Sequence, residues 1–126
     1  MFAGHCAAAL ELYASVFADF RVDAVQHYEA GGPSGGLIKV AEARLGDHHL
    51  MFIDSPVPHD FTFTASISLF VNFTQPKELE AAFAALSANG KVMMPLGDYG
   101  FSRRFGWCAD RFGVSWQLNV PHPAPL

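Results

Sequence analysis

From Thr62 to Phe73 the chain alternates for twelve residues without a break. Phe63, Ala65, Ile67, Leu69, Val71 and Phe73 hold one parity, and Thr62, Thr64, Ser66, Ser68, Phe70 and Asn72 hold the other. A period of two belongs to a strand, so the run predicts a strand over 62–73 with one apolar, covered face and one mostly small and polar face. Such a strand needs partners beside it and a layer over its apolar side.

The rest of the sequence offers both. Leu10, Tyr13 and Phe17, set among alanines, predict a helix over 7–18. Strands are expected at 20–28, 37–45 and 48–53, with a glycine-rich loop at 31–36, a Gly46-Asp47 turn and a Pro-containing loop at 54–60. Past the alternating run, Pro76 suits the first turn of a second helix with Thr74 as N-cap. Leu79, Phe83 and Leu86 form its stripe, and Asn89-Gly90 closes it with Gly90 at positive φ. Strands follow at 91–94, 101–109 and 114–120, with turns at 95–100 and 110–113 and an irregular tail at 121–126.

The second half thus reads βαβββ, and the first reads αβββ with Met1 and Phe2 in the place of a leading strand. The expectation is an α+β fold of paired βαβββ modules, about 1–58 and 59–122, in a chain that starts inside its first strand. Leu12-Tyr13 against Ala82-Phe83 marks a weak duplication. The polar sheet faces of two such halves would curve into a shared cup for a small ligand.

Composition narrows the function. At 126 residues the chain can bury a core without disulfide or metal staples, and 51% hydrophobic against 16% charged residues is a globular balance. Eight Lys and Arg against twelve Asp and Glu leave a net charge of −4, which disfavours nucleic acid. No apolar run is long enough to span a membrane. Two cysteines and no signal-type leader predict a reduced, cytoplasmic protein. The 12 Phe are read chiefly as core.

Three segments then resemble a known family. They are Ala8 to Phe20, with Ala9-Leu10-Glu11-Leu12-Tyr13 and Val16-Phe17; Leu86-Ser87-Ala88-Asn89-Gly90-Lys91-Val92-Met93-Met94-Pro95-Leu96; and Phe105-Gly106-Trp107-Cys108-Ala109-Asp110-Arg111-Phe112-Gly113-Val114-Ser115-Trp116-Gln117-Leu118-Asn119. The chain resembles the PhnB-like, or 3-demethylubiquinone-9 3-methyltransferase-like, family of the vicinal oxygen chelate superfamily. That superfamily includes glyoxalase I and bleomycin-resistance proteins. The resemblance implies the paired βαβββ fold and, commonly, a homodimer. It also implies a divalent metal held by His, Glu or Gln. Carried over by position, one ligand falls before Met1, one near Ser66, one near Gln117, and one on the strand holding His49. Serine suits such a metal poorly. No bound metal or other cofactor is therefore expected; if a metal is present, His49 and Gln117 are its ligands. A methyltransferase activity finds no glycine-rich strand-to-helix turn to support it.

Other residues divide between site and scaffold. Adjacent Arg103 and Arg104 face opposite ways on a strand, so one of them could anchor an anion in the cup while the other pairs on the surface, or both form surface ion pairs; Arg103 is named in the ligand-binding set. Ser66, Ser68, Phe70, Ser115 and Gln117 complete the expected ligand-binding set, with Asn119 on the same parity. Trp116 is read as core, Cys108 as packing, Asp110-Arg111 as a turn device, and the six His as surface or loop residues. No general base can be assembled from spacing. The expected function is metal-free binding of a small organic molecule. The alternatives are a metal-dependent isomerase or lyase acting through a chelated enolate, and a structural interaction module with a filled cup.

Overall fold

The computed structural model describes residues 1–123, so the expected irregular tail falls partly outside the described residues, at 124–126. The chain forms two compact units, Met1–Thr62 and a second beginning at Phe63.

In the first unit α1 (Cys6–Val16) precedes β1 (Phe20–His27), β2 (Ile38–Leu45) and β3 (His48–Phe52). The three strands form an antiparallel sheet in the order β1-β2-β3. Phe2 makes an isolated parallel bridge to Asp54, its N–H donating to the Ile53 carbonyl over 2.8 Å. The core is aromatic. Phe52 has ring neighbours at 6.1 Å (Phe2) and 6.2 Å (Tyr13 and Phe20), beside fully buried Ala9 and Ala41.

Asp54 organises this unit. It is buried, and its Oδ1 accepts from the N–H groups of Gly4 and Cys6 at 2.9 and 3.0 Å. Its Oδ2 accepts from Ile38 N–H at 3.0 Å. His5, the N-cap of α1, makes no side-chain cap bond. A carboxylate from beyond β3 therefore takes the orphan donors and faces the positive end of the helix. The expected loop at 54–60 thus opens on a residue that belongs to the scaffold.

In the second unit β4 (Leu69–Asn72) leads into α2 (Pro76–Ser87), followed by β5 (Lys91–Gly97), β6 (Arg104–Ala109) and β7 (Ser115–Val120). The sheet order is β4-β7-β6-β5, with β4 parallel to β7 and the other pairs antiparallel. Phe73 N–H donates to the Asn119 carbonyl over 2.7 Å, the counterpart of the Phe2–Ile53 bond. That equivalence aligns β7 with β3 and β6 with β2. Leu79, Leu86, Trp116 and Leu118 are buried between α2 and the sheet. Gly106 lies under the Phe83 ring, and a Cβ there would meet it at 2.6 Å.

The alternating run forms a strand over 69–72 alone, not 62–73. Its parallel partner β7 begins at Ser115, and the ladder runs from Leu69↔Trp116 to Asn72↔Asn119. Among the described residues, those upstream of Ser68 have no strand to pair with, and Ile67 is left 79% exposed. Alternation records what a strand could do; a partner decides where it ends. Smaller corrections follow similar local causes. The N-cap of α2 is Gln75 rather than Thr74, and it makes no side-chain cap. Asn89, not Gly90, takes positive φ (59°). Gly90 is needed for closeness instead, since a Cβ there would fall 2.1 Å from the Ala109 carbonyl oxygen. Pro95 lies inside β5, an edge strand with irregular register.

Candidate functional site

One face of each sheet packs on its helix, and the other carries the candidate side chains. In the second unit that other face follows from the register. Ser68, Phe70 and Asn72 stand on the β4 side, Ser115, Gln117 and Asn119 on β7, and Phe105 and Trp107 on β6. Phe70, Gln117 and Trp107 form one cross-strand row; Asn72, Asn119 and Phe105 form the next.

The serines and Gln117 make one hydrogen-bonded group. Ser68 Oγ and Ser115 Oγ lie 2.6 Å apart. Trp107 Nε1–H donates to Ser115 Oγ at 2.8 Å, and Gln117 Nε2–H donates to Ser68 Oγ at 3.2 Å. Ser115 is buried while Ser68 is half-buried. A hydroxyl has one proton and two lone pairs. Trp107 and Gln117 each donate into the serine pair and one hydroxyl donates to the other, so one O–H of the pair is left to point outside the group. The Gln117 carbonyl oxygen is the neighbouring acceptor.

Aromatic rings adjoin this group. Phe105 is buried and touches Phe70 (6.3 Å between centroids), Tyr99 (5.9 Å) and Phe101 (4.9 Å). Phe70 and Phe101 are 53% and 60% exposed. Large exposed rings thus stand beside a polar group. Tyr99 is held by its hydroxyl donating to the Pro95 carbonyl.

Of the six residues expected at the site, the structure gathers Ser68, Phe70, Ser115 and Gln117. Ser66 lies before β4, exposed, with its hydroxyl on Thr64 Oγ1 at 2.7 Å. Arg103 precedes β6, exposed, its backbone N–H bonded to Val120 O. Arg104 faces the helix side, where its guanidinium meets Glu80 at 3.2 Å. Trp107, Tyr99 and Phe101 join the site without having been expected from the sequence. The alternation of β6 carries the signal for Trp107, while the two rings sit in a turn where no periodicity points to them.

The metal donor set can be tested by chemistry. By the repeat, Met51 is equivalent to Gln117 and His49 to Ser115. His49 is exposed on β3 and pairs in register with Arg44. Among the described residues no three His, Cys, Asp or Glu side chains converge. The face of the second unit offers hydroxyls and one side-chain amide, a poor donor set for a divalent transition metal. Both thiols are withdrawn from chemistry too. Burial, with Asp54 nearby, pushes Cys6 up to about 11, and burial, with Asp110 nearby, pushes Cys108 up to about 12.

Asp110 is the second unit's buried carboxylate. Its Oδ1 accepts from Phe112 and Val114 N–H (2.9 and 3.1 Å), and its Oδ2 accepts from Trp116 Nε1–H at 3.0 Å. It positions β7, and so the serine–glutamine group, from behind. Elsewhere, a cavity of about 460 Å³ opens between β1, β2 and their loop in the first unit, beside Tyr28, Glu29, Ser34 and Lys39. It contains none of the expected residues. No helix among the described residues is long and apolar enough to cross a membrane.

The family described as 3-demethylubiquinone-9 3-methyltransferase matches residues 1–119. The chain is similar to the PhnB protein from Bacillus cereus, at 39% identity over 95% of this chain and 94% of that one, with a TM-score of 0.90. It is 29% identical over 85 residues to Protein YjdN of Escherichia coli, covering 68% of this chain and 57% of that protein. A glyoxalase/bleomycin resistance protein/dioxygenase from Nocardioides shares the fold alone, at 15% identity over 99% of this chain and 85% of that one, with a TM-score of 0.55.

Proposed function

The chain belongs to the 3-demethylubiquinone-9 3-methyltransferase family, PhnB-type members of the vicinal oxygen chelate superfamily, and from that premise we propose that it binds a small organic molecule without a metal. The ligand lies on the β4-β7-β6 face of the second unit. Its flat apolar part rests on Phe70, Tyr99 and Phe101, and its polar group meets Ser68 and Gln117. The observation that carries this reading is the meeting, on one sheet face, of a neutral hydrogen-bonding group and exposed rings. Binding sites are built in this way, from apolar walls and a few fixed polar groups. The described residues of that face include no general base, so the reading is of binding rather than turnover.

The methyl transfer in the family's description is not part of this proposal. The glycine-rich stretch 31–36 joins two antiparallel strands, and the turns entering α1 and α2 are not glycine-rich. A nucleotide-like cofactor is cradled by a glycine-rich turn at a helix N-terminus. The protein further acts as a homodimer. Val22 and Val25, exposed on the edge strand β1, support pairing with a second copy.

Native mass spectrometry on the protein as purified, then after incubation with zinc, nickel and manganese, tests the reading. A dimer carrying an organic mass and no stoichiometric metal is the expected result. One metal per subunit would overturn it.

A further inference from the structure

Asn119 lies within the same face and is not explained by the network around it. It stands on β7 between Asn72 of β4 and Phe105 of β6, and it is 7% exposed. Its Nδ2 donates to Asn72 Oδ1 at 2.8 Å. Its own Oδ1 is buried and has no hydrogen-bond partner among the described residues. Turning the amide over would exchange a bare acceptor for a bare donor, so one amide atom stays unpaired either way. Buried polar atoms are almost always paired, and a bare one is a standing cost that a donor would relieve.

The surroundings say what kind of donor. Phe105, the cross-strand neighbour of Asn119, is packed by Phe70, Tyr99 and Phe101. Arg104 is turned to Glu80 on the helix side, and Arg103 lies exposed before the strand. A neutral acceptor at the foot of an aromatic cluster suits a planar, uncharged molecule that brings its own hydrogen.

We propose that Asn119 Oδ1 selects the ligand by accepting a hydrogen bond from it, so that the ligand is an uncharged aromatic bearing an O–H or ring N–H. This rests on the reading of the face as a binding surface and adds the chemical class of the occupant. The selection works by penalty. A molecule without the donor leaves the acceptor buried and unpaired, whereas the donor-bearing one removes that defect.

Two probes that differ by one O-methyl group test it by NMR titration of the ¹⁵N-labelled wild-type protein: 4-ethylphenol, which has the donor, and 4-ethylanisole, which lacks it. The phenol should bind about tenfold more tightly, the size of one buried hydrogen bond, and shift the Asn119 side-chain amide. Asn119→Leu should bring the phenol down to the affinity of the ether and leave the ether unchanged. Equal affinities in the wild type, or a phenol preference that survives Asn119→Leu, would overturn the role of Asn119 while the binding face stands. Failure of both probes to shift any resonance of β4, β6 or β7 would remove the face and this proposal together. Where Asn119→Leu is too unstable to titrate, the wild-type comparison decides through the Asn119 side-chain amide: a phenol preference without a shift of that amide overturns the role of Asn119.

Discussion

The face of the first sheet turned away from α1 carries Arg21, Asp23, Glu42, Arg44, His49 and Met51; the equivalent face of the second carries Ser68, Phe70, Ser115, Gln117, Asn119 and Trp107. From the helix onward the order of elements is the same in both, and the second adds the leading strand β4. In the first, Asp23 sits at a β-bulge and its carboxylate meets Arg44 Nε at 2.8 Å, with both side chains about a third exposed. In the second, the polar atoms bond to one another and rings stand beside them. The repeat duplicates a scaffold, while the chemistry of each face is set by the few alternate positions that packing leaves open. A solvated ionic face resists covering, because its charges would have to be desolvated. A neutral face beside rings gains from it.

Where the halves agree, substitution should hurt most. Each has one buried aspartate that gathers three N–H donors. Asp54→Ala and Asp110→Ala should each lower stability by about 3 kcal/mol in urea denaturation, since buried donors are left bare. Asp54→Ala should be the worse, because its partners come from the start of α1 and from β2. The three N–H donors named for Asp110 lie within six residues of it. Equal, small losses would show that neither carboxylate organises its half.

The next difference is one of volume. Gly106 is the equivalent of Ala41, both facing the helix side. Gly106→Ala should cost about 2 kcal/mol, because the new Cβ meets Phe83 at 2.6 Å. Ala41→Gly should cost about 1 kcal/mol through backbone freedom in a strand. If Gly106→Ala is neutral, α2 can shift off its sheet and the second unit is looser than its packing implies.

The thiols give a pH test common to both halves. Cys6 and Cys108 stay protonated in the fold up to about 11 and 12, against 9.0 for a free thiol. Above pH 9 the unfolded chain releases thiol protons that the folded chain keeps. Stability conferred by the buried thiols is therefore fully present below pH 9 and falls as pH rises towards 11 and 12. A thiol reagent at pH 8 should label neither cysteine in the folded protein and both in urea. Labelling of Cys108 in the native state would show that β6 opens readily.

Much of the fold is legible in the chain because helices and strands announce themselves by period. α1, β1, β2, β3, α2 and β7 lie within two residues of their expected bounds at either end. Ser68, Phe70, Ser115 and Gln117 can be placed on one face because alternation fixes parity. What the residues do not reveal depends on partners distant in sequence. A strand over 62–73 is too long, since nothing in its own residues shows where β7 begins. Asp54 reads as a loop residue, since its donors lie 16 to 50 positions away. Tyr99 and Phe101 escape notice, since a turn has no period. Asn119 has the right parity, but a bare buried oxygen is visible only once the neighbours are in place.

The smallest effect expected is at the ion pair that distinguishes the first face. Arg44 donates to Asp23 and holds its carboxyl below the usual carboxylate range. A depressed carboxylate adds stability above its unfolded pKa and loses it as pH falls through the lower, folded one, so any contribution is present at neutral pH and disappears in acid. The pair is exposed, however, and solvent and salt screen it. Asp23→Asn should leave the urea midpoint at pH 7 unchanged within error, in low salt and in high. By contrast, Gln117→Met, which gives the second face the residue of the first, should lower stability by about 1 kcal/mol by removing one hydrogen bond to Ser68. If Asp23→Asn proves the more damaging of the two, the first face is not a solvated surface. Its charges would then be held in a working arrangement, and the contrast between the halves would have to be redrawn.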